Sequence, residues 1–159
     1  MANRILVSMY EGMEPPAWFD NLEDFARTAL NALGYDGEEI SILLCNDEYI
    51  RQLNNSYRGI DSPTDVLSFE NDEEYDDEEG HWKCAGDIAI SLDMLPVNAR
   101  YFEVDSDSEL KRLLVHGILH LNGLDHGEEH IEKGIEPSCE MLKIQEEVLL
   151  KLKDEKIIK

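Results

Sequence analysis

Basic residues are scarce in this chain. Lysine and arginine number 14 against 36 aspartates and glutamates, a formal net charge of −22 over 159 residues. A surface that negative repels polyanions at long range, which excludes a histone-like or polybasic RNA-coating role. Action on nucleic acid then requires a local positive site, a metal, or a partner that delivers the substrate. Long apolar runs are missing too: none reaches the roughly 18 residues that cross a bilayer. The start, Met1-Ala2-Asn3-Arg4, lacks the apolar stretch of a secretory signal. Cys45, Cys84 and Cys139 form an odd set without C-x-x-C spacing, so no disulfide framework is expected and a reducing cytoplasm is. No repeat and no Pro- or Ser-rich linker interrupts the chain, and a single domain over 1–159 is expected.

What is present suits a folded protein. The hydrophobic fraction is 42% and the charged fraction 31%, and at this size roughly 70% of the unfolded chain's surface can be buried. Ile5 to Tyr10 reads as a strand, ended by Gly12 and Pro15-Pro16. Leu22, Phe25, Ala26, Ala29, Leu30 and Leu33 recur at helical steps, with Gly34 placed to cap. Ile40–Leu44, Val66–Phe69 and Ile88–Ser91 read as strands. A short helix from Asp47 carries Ile50 and Leu53 and ends through Asn54, Asn55 and Gly59. Eight of the ten residues from Glu70 to Glu79 are acidic, which predicts a solvated loop. Ser106 and Glu109 have the spacing of a capping box ahead of a helix with the stripe Leu110, Leu113, Leu114, Gly117 and Leu121. A last helix from near Ser138 buries Met141, Leu142, Val148, Leu149 and Leu152. The class is α+β, a small mixed β-sheet packed with helices.

Four of the five histidines fall between His116 and His130. His116 and His120 are offset by only about 40° around a helix, so both imidazoles can face one ion. Gly123 follows where a left-handed residue can end the helix and let His126 return to the same point. Three neutral imidazoles with an open position form the pattern of a catalytic zinc site. His81 and His130 read as ordinary hydrogen-bonded core or surface histidines, although His130 is also an alternative third ligand, and Cys139 is a weak, distant candidate for a fourth. The spacing is metzincin-like. Peptidases of that type, however, place a glutamate base directly after the first histidine, and here that position is Gly117. Activation of water must then rest on the metal, on another residue, or on different chemistry.

The segment His116-Gly117-Ile118-Leu119-His120-Leu121-Asn122-Gly123-Leu124-Asp125-His126 closely resembles the H-G-x-L-H-L-x-G-[YF]-D-H signature of the YbeY family. Asn55 to Phe69 resembles that family's Y/W-R-x-x-x-x-P-T-D-V-L-S-F block, and Gly86 to Ser91 its G-D-I-x-I-S strand. The Met141 to Glu146 stretch is similar to its last helix. Leu124, where an aromatic is usual, and the acidic segment Glu70–Gly80 depart from the pattern. The resemblance implies a zinc-dependent, single-strand-specific endoribonuclease that matures the 3′ end of small-subunit (16S) rRNA and serves ribosome quality control. It implies one Zn2+ on His116, His120 and His126, and Arg58 as the functional arginine. It also implies the small ribosomal subunit and assembly factors such as the Era GTPase as partners.

On residue chemistry alone, a surface ion pair with Asp61 or Asp65 is the plainer role for Arg58; the resemblance favours a catalytic one. A guanidinium offers a planar, always-charged fork for phosphate oxygens. Further phosphate contacts are expected from Arg51, Lys111 or Arg112. Asp125 could orient an imidazole or cap a turn; Asp65 and Asp87 take no catalytic role. Two other readings compete: a non-catalytic assembly factor stabilised by its metal, and a metallopeptidase-like hydrolase, against which Gly117 argues.

Overall fold

A computed structural model of the chain describes residues 3–124 and 139–159. Four strands make one mixed sheet: β1 (Arg4–Met9), β2 (Glu38–Cys45), β3 (Val66–Asp77) and β4 (Gly80–Ser91), ordered β1-β2-β4-β3. β1 and β2 run parallel, as do β2 and β4, while β3 and β4 form an antiparallel hairpin. The described helices are α1 (Phe19–Ala32), α2 (Asp47–Arg58), α3 (Met94–Phe102), α4 (Ser106–Leu121) and α5 (Glu140–Lys151). This is the α+β arrangement that the pattern predicts.

Alternation along the strands sorts the side chains onto two faces. Ile40, Ile42, Leu44, Ile88 and Ile90 point to the larger core, shared with Leu22 and Leu30 of α1 and Leu110, Leu113, Leu114 and Ile118 of α4. On the other face Cys45, Leu67 and Ala89 pack with Ile50 of α2. Cys45 and Cys84 are free thiols, and burial, ahead of Asp47 and Asp93, pushes Cys45 up to about 12. None of the described helices is long and apolar enough to cross a membrane.

Three local expectations are corrected. The acidic segment is no loop: Glu70 to Asp77 continues β3, and Gly80 onward continues β4. Strand alternation divides the carboxylates between faces, and a basic side chain meets them on each. Asp77 and Glu79 lie 2.6 and 2.8 Å from the Arg4 guanidinium, which also stacks over Trp82 at 3.7 Å. On the reverse face His81 sits between Glu74 (2.8 Å) and Asp76 (2.7 Å). Secondly, the cap of α4 is Asp105, whose carboxylate accepts from the Ser108 N–H at 2.8 Å; Glu109 instead pairs with Arg112. Thirdly, Asn54 and Asn55 lie inside α2, which ends at Gly59 in the left-handed region (φ 70°). The last helix is found close to its expected start, from Glu140, with Leu149 half-buried against the larger core. Helix α3 is an element the apolar pattern did not announce, since Pro96 interrupts its short run.

Candidate metal centre

Helix α4 carries the histidines, and its seating on the sheet decides where they point. A Cβ at Gly117 would lie 3.0 Å from the Ile88 side chain, so a hydrogen at that position lets the helix rest on β4. Leu113, Leu114, Ile118 and Leu121 enter the core on either side. His116 and His120 are left half-buried on the helix flank. At the C-terminus Gly123 (φ 85°) takes the left-handed conformation expected of it, and its N–H donates to the His120 carbonyl at 3.1 Å. Asn122 ties this end of the helix to β2, donating to Glu38 Oε1 at 3.1 Å. Burial pushes the Glu38 carboxyl up, and the Asn122 hydrogen bond partly offsets this.

The two imidazoles meet edge to face, centroids 4.6 Å apart and planes at 78°. Their Nε2 atoms are 3.1 Å apart. Two nitrogens bound to one tetrahedral zinc at 2.0–2.1 Å would be separated by about 3.3 Å. The pair thus has the spacing, donor type and partial exposure that a zinc ion needs. His126 and His130, the two candidates for third ligand, and Asp125 lie outside the described residues; among the described residues no group of three ligating side chains converges.

Helix α5 brings a polar side chain to this pair. Gln145 is fully buried, and its Oε1 is 2.8 Å from His116 Nδ1. Its Nε2 donates to Glu146 Oε2 at 3.5 Å. Sequence reasoning met Gln145 only within the Met141–Glu146 resemblance and gave it no site role, although one signal was available: an amide on the stripe formed by Met141, Val148 and Leu152.

Arg58 is the last residue of α2 and is exposed. The two acids that could neutralise it are engaged elsewhere. Asp61 pairs with Arg51 at 2.7 Å, which holds the Asp61 carboxyl below its ordinary range. Asp65 accepts from Asn98 at 2.9 Å and from the Val66 N–H at 2.8 Å, with Arg112 at 3.6 Å. Among the described residues Arg58 makes no ion pair. Two of the other expected phosphate contacts are corrected. Lys111 is buried and donates to the Leu152 and Glu155 carbonyls at 3.1 and 2.8 Å. Arg112 is clamped by both oxygens of Glu109 at 2.8 and 2.6 Å. Both lysine and arginine hold the fold together and are not available to a strand of RNA.

A cleft of about 400 Å³ opens on the α2 face of the sheet, lined by Tyr49, Leu53, Tyr57, Phe69, Asp87 and Ala89 among others. Tyr57 stands 69% exposed at its rim, 5.0 Å from the Phe69 ring.

Comparison with known proteins agrees with this architecture. The family model described as Endoribonuclease YbeY matches residues 13–153. The Endoribonuclease YbeY of Treponema denticola is 50% identical over 99% of this chain and 98% of its own. That of Aquifex aeolicus is 41% identical over 94% of this chain and 92% of its own. The solution structure of TM1509 from Thermotoga maritima aligns with a TM-score of 0.53 at 27% identity, covering 96% of this chain and 92% of that one.

Proposed function

Because the chain belongs to the YbeY endoribonuclease family, we propose that it cleaves single-stranded regions of small-subunit rRNA precursors at a zinc centre formed by His116, His120 and His126. The observation that carries this reading is the 3.1 Å approach of two Nε2 atoms on a helix seated by glycine. Endoribonuclease activity follows from the relatives that bear that name; the rRNA substrate, the metal and a cytoplasmic setting extend it.

Zinc, when bound, supplies Lewis-acid polarisation at the scissile phosphate. The protein's own groups do the rest. His116 and His120 present neutral imidazole nitrogens on a rigid helix, which fixes the ligand geometry without reorganisation. Arg58, with its acidic neighbours occupied, offers a fork to the non-bridging oxygens as charge accumulates on phosphorus. Tyr57, adjacent to Arg58 and exposed, offers a ring face for a base of an unpaired strand. Gly117 places no proton acceptor beside His116, and the space there is filled by Ile88, which disfavours a peptidase. An acidic protein of this kind gains its RNA from a carrier, and the small ribosomal subunit, with an assembly factor such as the Era GTPase, suits that role.

The test is metal content. Protein purified without added metal should carry about one equivalent of zinc per chain, lost in His116→Ala and His120→Ala. Less than about a tenth of an equivalent in gently prepared wild type would refute the metal centre.

A further inference from the structure

We infer that Gln145 is a positioning residue: its side-chain oxygen holds the proton of His116 on Nδ1, so that Nε2 presents a lone pair to the ion. The inference rests on the zinc reading above and concerns how this chain prepares its first ligand. A neutral imidazole has two tautomers, and the proton's location is set by the partner of the other nitrogen. His116 Nδ1 lies 2.8 Å from Gln145 Oε1. An amide oxygen only accepts, so the nitrogen facing it must donate.

The amide of Gln145 is oriented by its second contact. Gln145 Nε2 faces Glu146 Oε2 at 3.5 Å, and a carboxylate there selects the NH2 end. Turning the amide over would set its oxygen against that carboxylate and its NH2 against Nδ1. Glu146 in turn has the Arg112 guanidinium within electrostatic reach, and Arg112 is fixed by Glu109. One connected set of polar groups thus runs from the middle of α4 through α5 to His116. Gln145 is fully buried, and a hydrogen bond to a solvent-free amide is worth more than one at the surface.

An apolar residue would pack equally well at a position on the Met141–Val148–Leu152 stripe. The retention of an amide there is explained by the ring nitrogen it meets. A glutamine also leaves the imidazole neutral, where a carboxylate would add a charge.

Two measurements on the zinc-loaded full chain test this. In long-range 1H–15N spectra, His116 should carry its proton on Nδ1. Competition against a chelator of known affinity should show Gln145→Leu binding zinc about 10- to 100-fold more weakly. Gln145→Glu, which keeps an acceptor, should remain within a few-fold of wild type. A proton on His116 Nε2 overturns the inference, and the wild-type spectrum needs no variant that might misfold. So does a Gln145→Leu protein that folds and binds zinc within twofold of wild type. Equal weakening in Gln145→Leu and Gln145→Glu would point to packing and also overturn it. Should wild type hold no zinc, the metal reading fails separately, and a proton on Nδ1 in the spectrum of that protein would still support the contact with Gln145.

Discussion

Gly117 and Ile88 are in contact across the interface of α4 and β4, and this contact seats the helix that carries the histidine pair. A side chain at position 117 would lift the helix: even a Cβ meets three Ile88 carbons at 3.0 to 3.1 Å. Gly117→Ala gains up to about 1 kcal/mol of helix propensity and pays roughly 1–3 kcal/mol for overpacking. A small net loss of stability is therefore expected. Gly117→Glu buries a carboxylate against isoleucine and should lose several kcal/mol, without acquiring peptidase activity. Denaturant unfolding of both variants checks the order; a Gly117→Glu protein as stable as wild type would show that α4 is not seated as described.

Arg58 should matter to catalysis and not to folding. Arg58→Ala is expected to retain its metal and its melting temperature, while single-turnover RNA cleavage falls about 100-fold or more. Arg58→Lys should recover part of that loss, since a point charge cannot reproduce the planar fork. Unchanged cleavage by Arg58→Ala with normal zinc would remove the residue from the mechanism.

The hairpin should be sensitive to pH through His81. Hydrogen bonds from the ring to Glu74 first and Asp76 second raise its pKa above the ordinary 6.5. The folded value is the higher one, so the stabilisation is complete below about 6.5 and is lost as pH rises through the raised value. NMR titration should show His81 titrating above 6.5, and His81→Gln should flatten the pH dependence of hairpin amide exchange. A His81 pKa at or below 6.5 would contradict the contact.

Metal removal should loosen the protein without unfolding it, because the larger core stands on the sheet, α1 and α4. At a free-ion level near 100 times Kd, zinc adds about 2.7 kcal/mol, or a melting shift of roughly 5–10 °C at this size. Calorimetry with and without chelator measures it. Complete unfolding on chelation would assign the metal a structural role and favour a non-catalytic assembly factor.

Much of this was legible from local pattern. The strands around Ile40, Ile42, Leu44 and Ile88, Ile90 show β-branched runs, and α1 shows its stripe, because those faces are buried. The His116–His120 spacing is a property of the helix itself and survives folding unchanged. The acidic hairpin departs from its local pattern for a physical reason. Charge density argues for solvation, but whether solvated charges lie on a loop or a strand depends on Arg4, contributed from 73 residues away from Asp77 in the sequence. Lys111 and Arg112 were misjudged likewise, since burial of a cation depends on the carbonyls of Leu152 and Glu155 and on Glu109. Gln145 was hidden because its partner lies on another helix.

The most direct test of the account is single-turnover cleavage of an RNA carrying the small-subunit 3′ end. Zinc-loaded wild type, chelator-treated wild type and His120→Ala are compared, with metal content measured in each. The account predicts cuts within an unpaired region by the loaded protein, and a loss of about 100-fold or more in the other two samples, as befits the removal of a charge-stabilising centre. Undiminished cleavage after the metal has been removed would contradict it, as would no cleavage by the loaded protein even with small ribosomal subunits present.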